Sequence, residues 1–222
     1  MSSLGQLLEL LHDAHDGLSA FEVEYRDWGR PAPNNKLTVS YAETGAPRVR
    51  WQGAGPLPRD AVSTRRIWMR PPDQIRVEIS VGDELRRFAI RNGRQWWRWD
   101  SEQGVTSGAA PPNPRSSARM PSLLSAPMID VRQLITTVRF EPAGGGERAG
   151  RAVVQARGLP RAQPPGRGAL SYEFEFDAEH GSLLRRAEFE DEECVWERRA
   201  VVVLYDAQIR GECFVFEEPH ER

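Results

Sequence analysis

Four groupings of side chains carry the residue types that chemistry needs. His12-x-x-His15 sets two imidazoles on one face of a helix, with Asp16 beside them. That is the start of a zinc site, but zinc takes three or four ligands and no other His or Cys cluster completes the set. Cys194 and Cys213 fit no metal spacing. His15 also falls on an apolar helical stripe, so the pair reads as ordinary helix histidines and no metal is expected. Glu188-Phe189-Glu190-Asp191-Glu192-Glu193 has the acids for general acid/base work or a hard cation. It lacks the ligand rhythm of a calcium loop, and it reads as a solvated hairpin tip. Gly144-x-Gly146-x-x-Ala149 imitates a dinucleotide fingerprint, but Arg151-Ala152-Val153-Val154-Gln155 follows as strand. A phosphate site needs a helix N-terminus there. The chain has neither a Walker loop nor a Gly-x-Ser-x-Gly elbow. No catalytic residue and no cofactor is assigned, and the expectation is a protein that is not an enzyme.

The fourth grouping is the densest. Arg94-Gln95-Trp96-Trp97-Arg98-Trp99 holds three of the seven tryptophans. Alternating Arg and Trp can stack single-stranded bases. Period-two alternation places arginine outside and indole inside a strand in any case. The net charge of −2 provides no field for a polyanion, so no nucleic-acid partner is expected. Asn92-Gly93 before the run is a strong hairpin signal. A loop made of those two residues sets Ile90 opposite Gln95, Phe88 opposite Trp97 and Arg86 opposite Trp99. One face then holds Phe88, Ile90, Trp97 and Trp99. Burying one indole, with about 200 Å² at about 25 cal/mol/Å², is worth about 5 kcal/mol. That face therefore requires a cover, of protein or of ligand.

The elements that position these residues follow from patterning. Ser3 to Asp16 reads as a helix with a Ser3-x-x-Gln6 capping box and a stripe at Leu4, Leu7, Leu8, Leu11 and Leu18. Phe21–Arg26, Leu37–Tyr41, Arg65–Met69 and Ile75–Val81 alternate with period two. Residues 42–63 and 104–122 are rich in Gly, Ser and Pro and read as irregular connections. Within the second, 104–120 is expected to be mobile. A short helix is expected within Met128–Thr137, contributing Ile129, Leu134 and Ile135. Gly144–Gly146 reads as a turn. Ala152–Ala156, Tyr172–Phe176, Leu183–Phe189, Cys194–Tyr205 and a last short Phe214-Val215-Phe216 read as strands. About ten strands joined mostly by tight turns predict an antiparallel meander.

Composition sets the class. The chain has 222 residues, 39% hydrophobic and 28% charged, which suits one large folded domain spanning 1–222. Of thirty basic side chains only Lys36 is lysine. No apolar run approaches the roughly 20 residues of a membrane helix, so an integral membrane protein is not expected. No signal peptide is read at Met1-Ser2-Ser3-Leu4-Gly5. The chain as it stands is expected in the cytoplasm, or exported if a removed segment precedes it. The two cysteines are expected as reduced thiols.

Three landmarks occur in a recognisable order. Pro72-Asp73-Gln74-Ile75-Arg76-Val77-Glu78 resembles the "rPdriRvE" strand of the bacterial lipoprotein-carrier (LolA-like) superfamily. Asn92-Gly93-Arg94-Gln95-Trp96-Trp97-Arg98-Trp99-Asp100 resembles its "dG..lW.Yd" hairpin, and Asp177-Ala178-Glu179-His180-Gly181-Ser182-Leu183-Leu184 its "Dp.tG.ll" turn. The resemblance implies a mainly β (α+β) fold. A curved antiparallel half-barrel sheet is closed by an N-terminal helix and a short middle helix. It also implies a concave apolar face that holds acyl chains in the carriers, or docks a partner protein in related sensors. The signal peptide and lipidation cysteine expected of exported relatives are not seen.

The function expected is a non-catalytic binding protein enclosing a hydrophobic small molecule or lipid. A protein-interaction domain docking a partner segment on the same scaffold is the alternative. Leu7 and Leu11 of the helix, with Ile75, Val77, Ile79, Phe88, Ile90, Trp97 and Trp99 of the sheet, are the expected cavity lining, all on one face.

Overall fold

A computed structural model of the chain describes residues 3–14, 16–29, 37–41, 47–51, 63–109, 131–162 and 168–218. Helix α1 spans Leu4–His12, closed at its start by the expected capping box, in which Ser3 and Gln6 exchange side-chain and backbone hydrogen bonds. Its Leu7 and Leu11 are fully buried, while Leu4 at the fraying end is exposed. The helix stops at Asp13, three residues before the expected end.

Thirteen strands follow among the described residues: β1 (Phe21–Gly29), β2 (Leu37–Tyr41), β3 (Pro47–Trp51), β4 (Ser63–Arg70), β5 (Gln74–Val81), β6 (Glu84–Asn92), β7 (Gln95–Asp100), β8 (Gly104–Ala109), β9 (Val138–Arg148), β10 (Arg151–Pro160), β11 (Leu170–Asp177), β12 (Leu183–Glu190) and β13 (Glu193–Tyr205). A short helix, α2 (Arg132–Thr137), precedes β9 inside the window expected for it; Ile129 lies outside the described residues. β2 and β3 form a ribbon. The other eleven strands make one curved, unclosed antiparallel sheet in the order β8-β7-β6-β5-β4-β1-β13-β12-β11-β10-β9. It is therefore two meanders, β4–β8 and β9–β13, joined edge to edge through β1.

Several local expectations change. Residues 47–51 and 104–109, read as connections, are strands; residues 110–122 lie outside the described residues. Gly144, Gly145 and Gly146 pair with Gln155, Val154 and Val153 inside β9 rather than forming a turn. Gly211–Phe214 is a turn of 3-10 helix where a last strand was expected.

The largest change is in which face the tryptophans occupy. The hairpin loop is Gly93-Arg94, not Asn92-Gly93, with Asn92 paired to Gln95, Ile90 to Trp97 and Phe88 to Trp99. Gly93 takes φ +61° while Asn92 and Arg94 do not have positive φ. Glycine at the first central position suits a type II′ turn, whereas Asn-Gly in a type I′ turn needs positive φ at both. Phe88, Ile90, Trp97 and Trp99 still share a face, because the shift moves the partners by two.

They do not share it with Ile75, Val77 and Ile79. Ser80 pairs with Leu85 but Ile79 pairs with Arg87, so Arg86 is an extra residue in β6. A one-residue bulge turns every following side chain to the other face. Ile75 and Val77 now lie opposite Arg91 and Ala89, while Ile90 and Phe88 lie opposite Arg76 and Glu78.

The sheet consequently has two cores. On the helix side, Leu7, Leu11, Phe21, Val23, Tyr25, Ile67, Met69, Ile75, Val77, Ala89, Phe174 and Phe176 form one cluster, with Trp96 packed on it. On the opposite face Phe88 and Ile90 cluster with Ala20, Ile209 and Phe214, flanked by Trp68, Trp97, Trp99 and Phe216. The cover for that face is the segment after β13. Asp206 swings it across, accepting from the Ser19 N–H and Oγ at 2.9 and 2.8 Å. Arg70 donates to the Ile209 carbonyl, and Arg76 to that of Cys213 at 3.0 Å. Phe216 stacks on Trp97 with centroids 6.2 Å apart.

The 177–182 turn seats α1 against the other meander. Asp177, fully buried, accepts from the N–H groups of Glu179 and His180 at 2.9 Å and from Arg151 Nε at 2.8 Å. Gly181, at φ +65°, lies so close beneath α1 that a Cβ would meet the Leu10 carbonyl and Ala14.

Two outcomes follow. Phe214 is fully buried in the second core, so Phe214→Ala should cost about 3–5 kcal/mol in urea denaturation. An unchanged midpoint would show that the 207–216 segment is not a structural cover. Burial alone would raise the Asp177 pKa, but Arg151 and the two N–H donors hold it below the usual carboxylate range. A depressed folded pKa stabilises fully above the unfolded value of about 3.9 and is lost as pH falls through the folded one. The denaturation midpoints of wild type and Asp177→Asn should therefore differ at neutral pH and converge below about pH 4.

Candidate functional site

The expected cavity residues divide between two places. Leu7, Leu11, Ile75 and Val77 are buried together under the helix side, and Ile79, half-buried, continues that face on β5. Phe88, Ile90, Trp97 and Trp99 lie on the far side of the sheet under the chain's own 207–216 segment. The expectation of a single cavity lined by all nine is therefore corrected, and its physical cause is the Arg86 bulge. Two hollows lined by described residues also lie on that far side. One, of about 520 Å³, lies between Trp68, Arg76 and Glu78 of the sheet and Ile209, Arg210 and Cys213 of the cover. The other, of about 220 Å³, is bounded by Glu24, Arg66, Ser80 and Asp83.

The remaining candidates resolve simply. His12 is exposed beside Asp13, and His15 is outside the described residues. Among the described residues no three His, Cys, Asp or Glu side chains come together as a metal would need. The acidic tip is a hairpin end: Glu190 and Asp191 accept from the backbone N–H of Gly168 and Ala169, each at 2.9 Å. Cys194 and Cys213 are free thiols, and burial pushes both pKa values up, which makes them poor nucleophiles.

A grouping that motif reading passed over lies on the helix-side face, where apolar alternation gives way to charge. Along β1 the buried positions are Phe21, Val23, Tyr25 and then Asp27. Asp27 pairs in register with Arg198 of β13, and Arg198 with Arg186 of β12. Arg198 grips both Asp27 carboxylate oxygens through Nε and Nη2. Arg65 of β4 reaches the same carboxylate only at 3.7 Å. Arg186 lies 3.5 Å from Glu188 and over the Tyr172 ring, 4.9 Å from its centroid. Trp196 stacks with both Arg198 and Arg186, at 5.0 and 5.6 Å. Gly29 makes room for that indole: a Cβ there would meet its edge at 3.0 Å.

Among the described residues three guanidinium groups thus share two carboxylates in a largely buried place. Burial and the neighbouring Arg198 charge pull the Arg65 pKa down to about 10. Burial lowers that of Arg186 as well. The Nε atoms of Arg65 and Arg186 are buried with no hydrogen-bond partner. Tyr25, fully buried above the cluster, donates to the Leu183 carbonyl at 2.7 Å. Period two was the available signal: in Phe21-x-Val23-x-Tyr25-x-Asp27 and Arg65-x-Ile67-x-Met69 the charged residue takes an apolar-facing position.

No family model and no curated protein sequence matches the chain. Solved structures do. Pseudomonas aeruginosa MucB, in its complex with MucA, superposes with TM-score 0.53 and 14% identity, covering 96% of this chain and 59% of that one. An uncharacterised conserved protein from Thermus thermophilus superposes at 0.52 and 10% identity, covering 93% and 90%. The neighbours include an outer membrane lipoprotein-sorting protein domain from Vibrio parahaemolyticus, at 0.34 and 10% identity. The chain spans about three fifths of the MucB chains it matches. At these identities the likeness shows the fold, a curved antiparallel sheet of the kind that the motif resemblance implies.

Removing Asp27 should be worse than removing the pair. Asp27→Ala leaves a buried guanidinium unpaired and should cost about 3–5 kcal/mol, whereas Asp27→Ala with Arg198→Met should recover much of it. A double variant no more stable than the single, in a urea double-mutant cycle, would contradict a balanced ion pair.

Proposed function

We propose that the protein is a non-catalytic binding protein whose helix-side face encloses a hydrophobic ligand, a lipid or an acyl chain. The observation that carries this reading is a mismatch of dimensions. Eleven strands at about 4.8 Å spacing make a face about 50 Å across. Helix α1, with nine residues, is about 14 Å long, and α2, with six, about 9 Å. Helices of that size span two or three strands each, whereas the buried apolar row from Val23 through Ile67 and Val77 to Ala89 alone crosses four. Pre-formed apolar concavities are where small molecules bind. Of the expected lining, Leu7, Leu11, Ile75, Val77 and Ile79 belong to this face, while Phe88, Ile90, Trp97 and Trp99 serve the far core.

A second reading has its own support. Among the described strands β8 ends the sheet, pairs with β7 alone and is exposed at all six residues. An unpaired edge presents backbone donors and acceptors that an extended segment of another protein can complete. The MucB structure with MucA shows a similar fold in a protein complex.

No helix among the described residues is long and apolar enough to cross a membrane.

The test is titration with an environment-sensitive apolar dye. Saturable uptake at one site is expected, weakened by Val77→Glu and Ile75→Glu and indifferent to Trp97→Phe. Without saturable uptake by the folded protein the ligand reading fails and the edge-docking one stands ahead.

A further inference from the structure

We infer that the Arg65–Arg186–Arg198 cluster is a binding site for an oxyanion, a carboxylate or a phosphate, forming the polar end of the helix-side ligand site. The inference rests on the proposed binding function for the tail of that ligand, and on the geometry of the cluster for its head.

Three observations converge. The first is arithmetic of charge: among the described residues Arg65, Arg186 and Arg198 face Asp27 and Glu188, leaving one positive charge over in a place where charges are poorly solvated. Arg186 and Arg198 sit directly opposite each other on β12 and β13, a like-charge pairing that destabilises a sheet. The second is hydrogen bonding. Buried N–H groups are nearly always satisfied, and an exception calls for an unplaced water or ion. Here two guanidinium Nε–H groups, on Arg65 and Arg186, are buried and unpartnered. An acceptor of negative charge answers both deficits together; a water answers only the second. The third is placement. The guanidinium groups of Arg186 and Arg198 lie over the Trp196 ring, and that of Arg186 also over Tyr172. They are fixed in orientation before anything binds, which is what bidentate recognition of a planar or tetrahedral oxyanion uses.

The same face turns apolar within one strand step, at Tyr25 on β1, Phe174 on β11 and Ala200 on β13. The arrangement suits one molecule with an anionic head at the arginines and a hydrocarbon tail along the core. Asp27 occupies the Nε and Nη2 of Arg198, so the unpartnered Nε–H groups of Arg65 and Arg186 are the donors offered to the anion and Arg198 contributes field.

Calorimetric titration of the full chain with four probes tests this: dodecyl phosphate, dodecanoate, dodecanol and inorganic phosphate. Dodecyl phosphate or dodecanoate should bind about 10- to 100-fold more tightly than dodecanol, the range of a charge-assisted hydrogen bond or two. Arg65→Met and Arg186→Met should each bring the anionic probe down to the dodecanol level. Without ligand, Arg65→Met should keep or raise the melting temperature, because it removes the surplus buried charge, where a structural arginine would lower it; Arg186→Met also removes an ion pair with Glu188, so it is judged by binding alone. If either variant does not fold, the comparison of head groups on the unaltered protein still decides.

Inorganic phosphate binding as tightly as the amphiphiles assigns the site to a free oxyanion and counts against the lipid reading alone. Equal binding of dodecanol and dodecyl phosphate overturns the oxyanion site and leaves the apolar ligand reading standing. Binding of none of the four defeats both. Saturable binding of a short polyglutamate peptide, with no response to the amphiphiles, gives the cluster to an acidic partner segment and overturns the head-group assignment.

Discussion

One extra residue in β6 sets the division of labour in this molecule. Without Arg86 as a bulge, Ile75 and Val77 would share a face with Ile90 and Phe88, and the tryptophan hairpin would line the helix side. With it, the hairpin is turned over. The β4–β8 meander becomes apolar on both faces, and each needs its own cover. The β9–β13 meander has no such bulge-driven second core. Its far face carries ion pairs instead, Arg148 with Glu175 at 2.7 Å and Arg185 with Glu197 at 2.6 Å. The segment after β13 is thereby committed to covering the tryptophans. Its placement, through Asp206, Arg70 and Arg76, is a consequence of a register decision made more than a hundred residues earlier.

The helix-side face shows the complementary logic. Its apolar surface drives association of α1 with the sheet and is close-packed at Leu7, Leu11 and Phe21. Charge enters at Asp27 on β1, where the alternation of Phe21, Val23 and Tyr25 ends. A buried ion pair contributes little net stability, because desolvation offsets attraction. Asp27 and Arg198 are therefore a poor device for holding the sheet together. An additional guanidinium sharing the same carboxylate, that of Arg65 at 3.7 Å, is a worse one. Excess buried charge is tolerated in folded proteins where it is used, and perturbed ionisation concentrates at functional sites. That is why the cluster, rather than either hollow on the far side, carries the functional argument.

Much of the architecture is legible in residues 3–29 and 170–205. The Ser3 capping box, the leucine stripe, the alternating β1 and the Asp177–Gly181 turn are local signals with local causes, and each is found where expected. The hairpin is legible as a hairpin, yet its loop lies one residue from where the sequence suggests, because Asn-Gly fits two turn types and only backbone torsion separates them. The face of the tryptophans is not legible. A bulge has no sequence signature in Leu85-Arg86-Arg87, where either arginine could be the extra residue, and the parity of everything downstream hangs on it. The arginine cluster is half legible: alternation puts Asp27 and Arg65 among apolar neighbours. That Arg186 and Arg198 meet them requires strand order, which joins β4 and β13 across β1 and which no local pattern encodes.

The central position of β1 has a kinetic side. It is the first strand, yet its partners are β4, about forty residues on, and β13, about one hundred and eighty residues on. The two meanders can each zip up from local hairpins, but the sheet is not continuous until Phe21 meets Tyr205. Folding speed falls as contacts become less local. During synthesis the β1–β4 half would be complete while β1 still presented a bare edge, with Val23 and Tyr25 uncovered, until β13 was made. Such an intermediate is open to pairing with another nascent copy. The joint that unites the molecule is therefore also the last to close and the most exposed to misassembly.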